Sequence, residues 1–447
     1  MNKPIPALQP ENQTYHIEKM VFGGWGLSRN DKGRPVFVAH SAENENITAR
    51  IYKKAKGVLY AEGLDITAAP HPSRIAPRCV HTKACGGCSY QHVTSAQQLE
   101  WKERILAETF AGFPLQPAIT SPQDFHYRNK MEYGLALDDA GQVRLGLHPR
   151  WRHQFILDLK ECHLIQNSLW QIAERAKQAI QATLSSDLGG PKEFFWEHLT
   201  LRESFSSQRQ LLMFEVKDPA HPVVKRVADI LCAEFPSIAG ISVRQRNFKA
   251  NPVRGENCIE ETINGVRLGY GVENFFQVNV PLLPNLLTEV MKIIAQTAPE
   301  TIYDLFGGVG TFGITIAKAH PKIEVIGAES DGAAVALASQ NAKLNGLKNY
   351  QSLGFDLYQK GWAKQLPEGF NPLLIIDPPR AGLTDKSINE MLGFNAKTII
   401  YISCNPTTQK RDIDQFAKAG YQLESLRLID MFPQTYHIES LAVLKLS

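Results

Sequence analysis

The 447-residue chain has no apolar run near the roughly 18 residues that a membrane span requires, and its opening MNKPIPALQPENQTY has no apolar signal-peptide core. A cytoplasmic protein with no membrane partner is therefore expected. Cysteine is scarce: seven residues, at 79, 85, 88, 162, 232, 258 and 404. The odd count, with three thiols bunched, argues for metal ligation rather than a disulfide framework. The glycine-rich loop Asp304-Leu305-Phe306-Gly307-Gly308-Val309-Gly310-Thr311 lacks Gly-Lys-Ser or Gly-Lys-Thr, so it is no P-loop. A net charge of +3 is modest, yet residues 1–92 hold 12 Lys and Arg against 7 Asp and Glu. A basic module precedes a nearly neutral body.

What is present falls into three parts, with expected limits 1–69, 70–270 and 271–447. From Tyr15 to Thr67 short apolar runs alternate with glycine turns (YHIEKMVF, GGWGLSR, PVFVAH, NITARIYKKAKG, VLYAEGLDIT), the pattern of a small β-barrel. Arg50, Lys53, Lys54 and Lys56, interleaved with Tyr52 and Tyr60, offer a face for phosphates and stacked bases, or simply a solvated surface. A proline-rich linker follows. Cys79, Cys85 and Cys88 then form C-x5-C-G-G-C, with Cys162 the nearest fourth ligand and His81 and His163 as possible zinc-ligand substitutes. This density of thiols selects a soft metal centre, zinc or iron–sulfur. Residues 95–110 predict an amphipathic helix buried along Leu99, Ile105, Leu106 and Phe110. The strands and single helix beyond it make a mixed α+β middle, from which Arg128 and Lys130 project as RNA contacts or ordinary rim charges.

In the last third, strands alternate with helices, which predicts a doubly wound α/β sheet binding ligands beyond the carboxyl ends of its strands. Glu329 ends the strand after the glycine loop, where an acid can accept hydrogen bonds from ribose hydroxyls. Asp377-Pro378-Pro379-Arg380 ends another strand, because paired prolines cannot continue the ladder. One strand later, IIYIS delivers Cys404 to the sheet edge as a candidate nucleophile; a buried inert thiol is the blander reading.

DLFGGVGTFG, FFQVN, DPPRAGL, YISCNP and TYHIES, in this order after C-x5-CGGC, resemble the RNA 5-methyluridine methyltransferases, and the N-terminal pattern resembles a TRAM barrel. The resemblance implies a Rossmann-like, S-adenosylmethionine-dependent enzyme methylating carbon 5 of a uridine, with Cys404 as nucleophile and Glu439 as base. It implies cofactor contacts from Gln277, Phe306, Glu329, Asp356 and Asp377, and a 4Fe-4S cluster on Cys79, Cys85, Cys88 and Cys162. Barrel and cluster together resemble the branch acting on large-subunit ribosomal RNA, with a monomer expected; Gly307 stands where the family commonly has Cys, and Thr311 where that branch often has Asn. A transfer-RNA enzyme, an amino methyltransferase and an RNA-binding iron–sulfur protein stay open as alternatives.

Overall fold

The computed structural model describes residues 12–152, 154–184 and 193–447. Residues 1–11, which carry most of the stretch read for a signal peptide and the start of the expected first module, lie outside the described residues.

Six strands, Gln13–His16, Lys19–Val21, Trp25–Arg29, Pro35–Ala39, Asn46–Ala55 and Val58–Ile66, make one curled sheet at the N-terminal end. Alternation along Asn46–Ala55 turns Ile47, Ala49 and Ile51 inward. The register slips between Ile51 and Lys53, so Tyr52 is buried as well and leaves the outer face. The expected basic face therefore keeps its exposed lysines and Tyr60, whose ring centroid lies 5.7 Å from Lys53 Nζ, but not Tyr52.

The middle is a seven-stranded sheet, ordered Leu157–Asp158, Val143–Leu147, Lys130–Leu137, Trp196–Glu203, Gln210–Val216, Ile238–Arg244, Asn251–Gly255. Helices Asn167–Leu184 and Pro222–Glu234 pack their apolar stripes on one face. The second helix was not legible as such, although His221 caps it and Pro222 opens it. The expected strand at 154–159 shrinks to Leu157–Asp158.

Helix Ser95–Thr109 is buried along Gln98, Trp101, Lys102, Ile105 and Leu106, while Leu99 is only half-buried. The stripe is rotated because its polar members have partners. Lys102 Nζ donates to Asp430 Oδ1 at 2.7 Å and to the Phe432 carbonyl at 2.9 Å, and Gln98 exchanges hydrogen bonds with Gln434. The helix thereby holds the loop that precedes the final strand.

The last sheet has eight strands, ordered Tyr350–Gly354, Glu324–Glu329, Thr301–Leu305, Pro372–Ile376, Thr398–Ser403, Glu439–Leu446, Tyr421–Ile429, Gln116–Ile119. The first five run parallel, and Glu439–Leu446 inserts antiparallel beside Thr398–Ser403. Strand Tyr350–Gly354 and helix Leu283–Thr297 add to the elements expected, and Gln116–Ile119 reaches this sheet from far upstream. Ile399 to Ile402 are fully buried, sharing both apolar layers, and each such side chain contributes about 1.5–3 kcal/mol. From Thr301–Leu305 the order proceeds outward both ways, so a crevice opens at the carboxyl ends there.

Candidate active site at the carboxyl ends of the strands

Strand Thr398–Ser403 stops because Asn405 caps helix Pro406–Lys418, its side chain accepting from the Thr407 amide at 3.2 Å with Pro406 in the first turn. Cys404 is the single residue between strand and cap, and it is half-buried. Ser403 pairs with Ser440, so Cys404 and Glu439 follow as the next positions across two adjoining strands. Asp377 leaves the neighbouring strand on the other side, where Ile376 pairs with Tyr401. Its Oδ2 accepts from Gln277 Nε2 at 3.1 Å, and the Gln277 carbonyl accepts from Asn129 Nδ2 at 3.2 Å, which ties the FFQVN segment to the middle sheet. The structure thus brings Cys404, Glu439, Asp377 and Gln277 to one edge.

These groups perturb one another. Burial pushes Glu439 up to about 7, opposed by Arg380. Burial, then the nearness of Glu439 and Asp304, holds Asp377 well above the usual carboxylate range. Burial and Glu439 raise the Cys404 thiol to about 11, while Arg380 draws it down. Arg380 Nη2 donates to His437 Nδ1 at 3.2 Å, so the imidazole proton resides on Nε2. Burial, Arg380, Arg128 and Lys102 hold His437 down at about 3, a neutral ring. Arg380 is anchored through its carbonyl, which accepts from Asn405 Nδ2 at 3.1 Å and Thr408 Oγ1 at 3.3 Å. In the sequence Arg380 drew notice only as the residue that closes Asp-Pro-Pro-Arg at a strand end. The signal passed over was a cation right after Asp-Pro-Pro, beside a thiol.

The glycine loop forms the second edge. Phe306, Gly308 and Gly310 all adopt positive φ, +63°, +55° and +89°. At Gly310 a Cβ would come within 2.5 Å of Ile314 Cδ1, whereas at Gly308 it would meet open space, so backbone faces the crevice there. Glu329 Oε2 accepts from the Gly308 amide at 3.2 Å; its Oε1 accepts from the Ser330 and Asp331 amides at 2.6 and 2.9 Å. Phe306 lies 5.6 Å from the ring of Tyr358. Asp356 is exposed and spends its carboxylate on its own turn, accepting from the Tyr358 amide and Gln359 Nε2. Beneath the loop is Asp304, which sequence reasoning quoted without a role. Only 1% exposed, it accepts from the Gly313 amide at 2.8 Å with one oxygen, its other oxygen has no hydrogen-bond partner among the described residues, and burial raises it to about 7.

Residues 368–446, which carry Asp377, Cys404 and Glu439, match the family model described as tRNA (Uracil-5-)-methyltransferase, and residues 284–397 match the methyltransferase small domain. The chain is 29% identical to a Gloeobacter violaceus protein described as an uncharacterized RNA methyltransferase, across 100% of this chain and 99% of that one. A Thermotoga maritima protein of the same description is also 29% identical, across 96% and 98%. The structure of Pyrococcus abyssi tRNA (uracil-54, C5)-methyltransferase in complex with S-adenosyl-L-homocysteine matches with a TM-score of 0.76 at 25% identity, over 97% of this chain and 100% of that one. What these matches support is the RNA uracil-5-methyltransferase family.

In this methyltransferase Cys79, Cys85, Cys88 and Cys162 share one neighbourhood, each of the first three feeling the charge of Cys162. The His81 and Gly87 amides point at the sulfurs of Cys79 and Cys85, at 3.4 and 3.3 Å. A Cβ on Gly86 would meet the His148 carbonyl at 2.8 Å, so the loop is pressed against the neighbouring strand. Even so, among the described residues no three His, Cys, Asp or Glu side chains form a group that could hold a metal ion. His81 Nε2 accepts from the Lys160 amide at 2.8 Å, and His163 Nε2 stands 3.3 Å from Glu161.

Proposed function

We propose that this methyltransferase transfers a methyl group to carbon 5 of a uridine in RNA. The observation that carries the reading is the juxtaposition of a thiol and a buried carboxyl, Cys404 and Glu439, on adjoining strand ends, with the Asp377–Gln277 pair on the flank. S-adenosylmethionine, when bound, would supply the methyl group from its sulfonium, the methyl–sulfur bond breaking to leave the neutral thioether S-adenosylhomocysteine. The glycine loop, Phe306 and Glu329 suit its nucleoside: Glu329 presents an acceptor at the strand end, and the open space at Gly308 admits a ligand against the backbone. Asp377, Gln277 and Asp356 are assigned to the same cofactor.

Carbon 5 of uracil becomes nucleophilic once a thiolate adds to carbon 6. Cys404 forms that bond, and the resulting enolate takes the methyl group at carbon 5. Glu439 then removes the carbon 5 proton, and the electrons of that C–H bond restore the 5,6 double bond as the Cys404 thiolate is expelled. With the thiol raised to about 11, the free site keeps that proton near neutrality, whereas Glu439, at about 7, is divided there between its protonated and ionised forms. Arg380 is the cation that favours the thiolate. A uridine stacked in folded RNA must be extruded to reach this edge, and the lysines of the curled sheet grip the phosphates.

The barrel-like sheet and the thiol segment support large-subunit ribosomal RNA as substrate, by the resemblance above. The Pyrococcus abyssi enzyme gives transfer RNA as a second reading, since its match spans 97% of this chain and takes in the N-terminal sheet. The all-sulfur donor set of Cys79, Cys85, Cys88 and Cys162 suits an iron–sulfur cluster, which would take the thiols as thiolates and staple two segments of the middle region. Anaerobic purification should give visible absorption that Cys85→Ser removes.

The test of the reaction is a covalent trap. With S-adenosylmethionine and RNA containing 5-fluorouridine, wild type should form a denaturation-resistant adduct, because fluorine at carbon 5 does not leave as a proton. Cys404→Ala should form none. Methylation of ordinary RNA without any such adduct would sink the mechanism. Presenting ribosomal and transfer RNA transcripts in parallel decides between the two substrates.

A further inference from the structure

The loop between the last two strands places an aromatic pair that the reaction above leaves unused. Tyr436 lies against His437, ring centroids 4.2 Å apart at 39°. Phe22, at the turn between the second and third strands of the N-terminal sheet, meets Tyr436 edge-on at 6.0 Å and 86°. His437 accepts from Arg380, which adjoins Cys404. A short relay of rings and one cation therefore runs from the N-terminal sheet to the nucleophile.

The contact is built into the backbone. Gly24 adopts a φ of +78°, and a Cβ there would come within 2.9 Å of Ser89 Cβ and 3.0 Å of Tyr436 Cβ. The turn can approach so closely only without a side chain. The loop itself is fixed without the Tyr436 ring: the Gln434 carbonyl accepts from the Ser89 and Tyr90 amides at 2.9 and 3.0 Å, and the Pro433 carbonyl accepts from Tyr127 Oη at 2.9 Å. Phe22 is 37% exposed and Tyr436 half-buried, and the Tyr436 hydroxyl has no hydrogen bond among the described residues. Tyr436 packs part of its side chain against the apolar core of the N-terminal sheet and is half-buried there; an aromatic surface so backed, beside a guanidinium and next to the thiol edge, has the chemistry that stacks a nucleobase.

Resting on the uridine reading above, we propose that Tyr436, backed by Phe22, is the stacking platform for the base adjoining the extruded uridine. Extrusion leaves that neighbour without its stacking partner, and the platform replaces it. The N-terminal sheet then helps to place the target nucleotide directly, in addition to gripping phosphates. Tyr436 and Phe22 act as positioning residues; they touch the flanking base, not the reacting atoms.

The test is a cycle between protein and RNA. The RNA is a hairpin cut around the uridine that wild type methylates, made with the normal base or with an abasic nucleotide on either side of it. Tyr436→Ala should raise KM for the intact hairpin roughly tenfold, the loss falling on KM rather than kcat, and Tyr436→Trp should restore it. One abasic flank should cost wild type a similar factor and cost Tyr436→Ala nothing further. Phe22→Leu should show a weaker version of the same pattern. The platform is overturned if Tyr436→Ala keeps the wild-type KM, or if the abasic penalty is undiminished on both flanks. It is overturned too if KM rises while kcat and melting temperature fall with it and Tyr436→Trp rescues none of the three, since that marks a role in folding alone. A wild type that forms no 5-fluorouridine adduct defeats the reading of the reaction; an adduct with no platform effect defeats only the platform.

Discussion

Two glutamates stand at strand ends of the same sheet, and their surroundings are opposite. Glu329 is half-buried and ringed by donors, with amides of Gly308, Ser330 and Asp331 and the Ser330 hydroxyl all directed at its oxygens. Glu439 is 3% exposed, and its carboxyl accepts no hydrogen bond among the described residues; only the charge of Arg380 opposes its burial. A carboxylate fed by amides is pre-organised to remain an acceptor, which suits holding a ribose. A buried carboxyl without donors sits where a proton can come and go, which suits a general base.

Replacing each acid by its amide should separate those roles. Glu439→Gln removes the base after carbon–carbon bond formation is complete. Turnover should fall about 10²–10⁴-fold, and the variant should accumulate a denaturation-resistant adduct on ordinary, unfluorinated RNA, seen as a shifted band in a denaturing gel. Loss of turnover without that band would place Glu439 before or outside the proton-abstraction step. Glu329→Gln should instead raise KM for S-adenosylmethionine by roughly tenfold, the worth of one hydrogen bond to a charged group, and leave kcat and the RNA adduct largely intact. A kcat loss as large as that of Glu439→Gln would erase the contrast between the two sites.

Arg380 sharpens the comparison because it acts on the thiol edge alone. Its charge lowers Cys404, so Arg380→Ala should raise the thiol further and reduce the thiolate present at pH 8. Alkylation of Cys404 by iodoacetamide should slow by a factor on the order of ten, the change that one pKa unit makes in thiolate fraction. The rising limb of the pH–rate profile should move to higher pH, with Arg380→Lys falling between. An unchanged alkylation rate would show that the guanidinium serves the loop and not the sulfur.

The cofactor edge was far more legible in the sequence than the thiol edge. A glycine loop followed by an acid one strand later is a local pattern, and Glu329 emerges from it by counting, whereas Phe306 comes only with the family resemblance. The pairing of Cys404 with Glu439 depends on an antiparallel register set by Ser403 and Ser440, which lie 37 positions apart; the family resemblance named the pair, and spacing alone could not. Tertiary hydrogen bonds explain other differences. Lys102 and Gln98 are buried because the loop at 430–434 satisfies them, which hydrophobic periodicity cannot register. Tyr52 is inside because of a register slip. Cys79, Cys85, Cys88 and Cys162 imply a metal centre by their chemistry, yet the sequence carries no measure of how near their sulfurs come, and among the described residues no three metal-ligating side chains form such a group.

The smallest expected effect is on stability, and there the two acids should differ in sign. Glu439 has its folded-state pKa raised from 4.5 to about 7. Between those values the folded protein holds a proton that the unfolded chain has released, so stability falls as pH rises through the window and the full penalty is present above about pH 7. Glu439→Gln removes it, and with it the charge that raises Asp377 and Cys404. The variant should melt higher than wild type at pH 8, by at most about 3 kcal/mol, and match it near pH 4. Glu329→Gln turns an amide group toward donors that need an acceptor, and should melt lower at pH 8 by about 1 kcal/mol. Differential scanning calorimetry of both variants at the two pH values measures this directly. If Glu439→Gln also melts lower at pH 8, the carboxylate is paired in the folded protein, and the poised base at the end of the last strand is lost as an explanation.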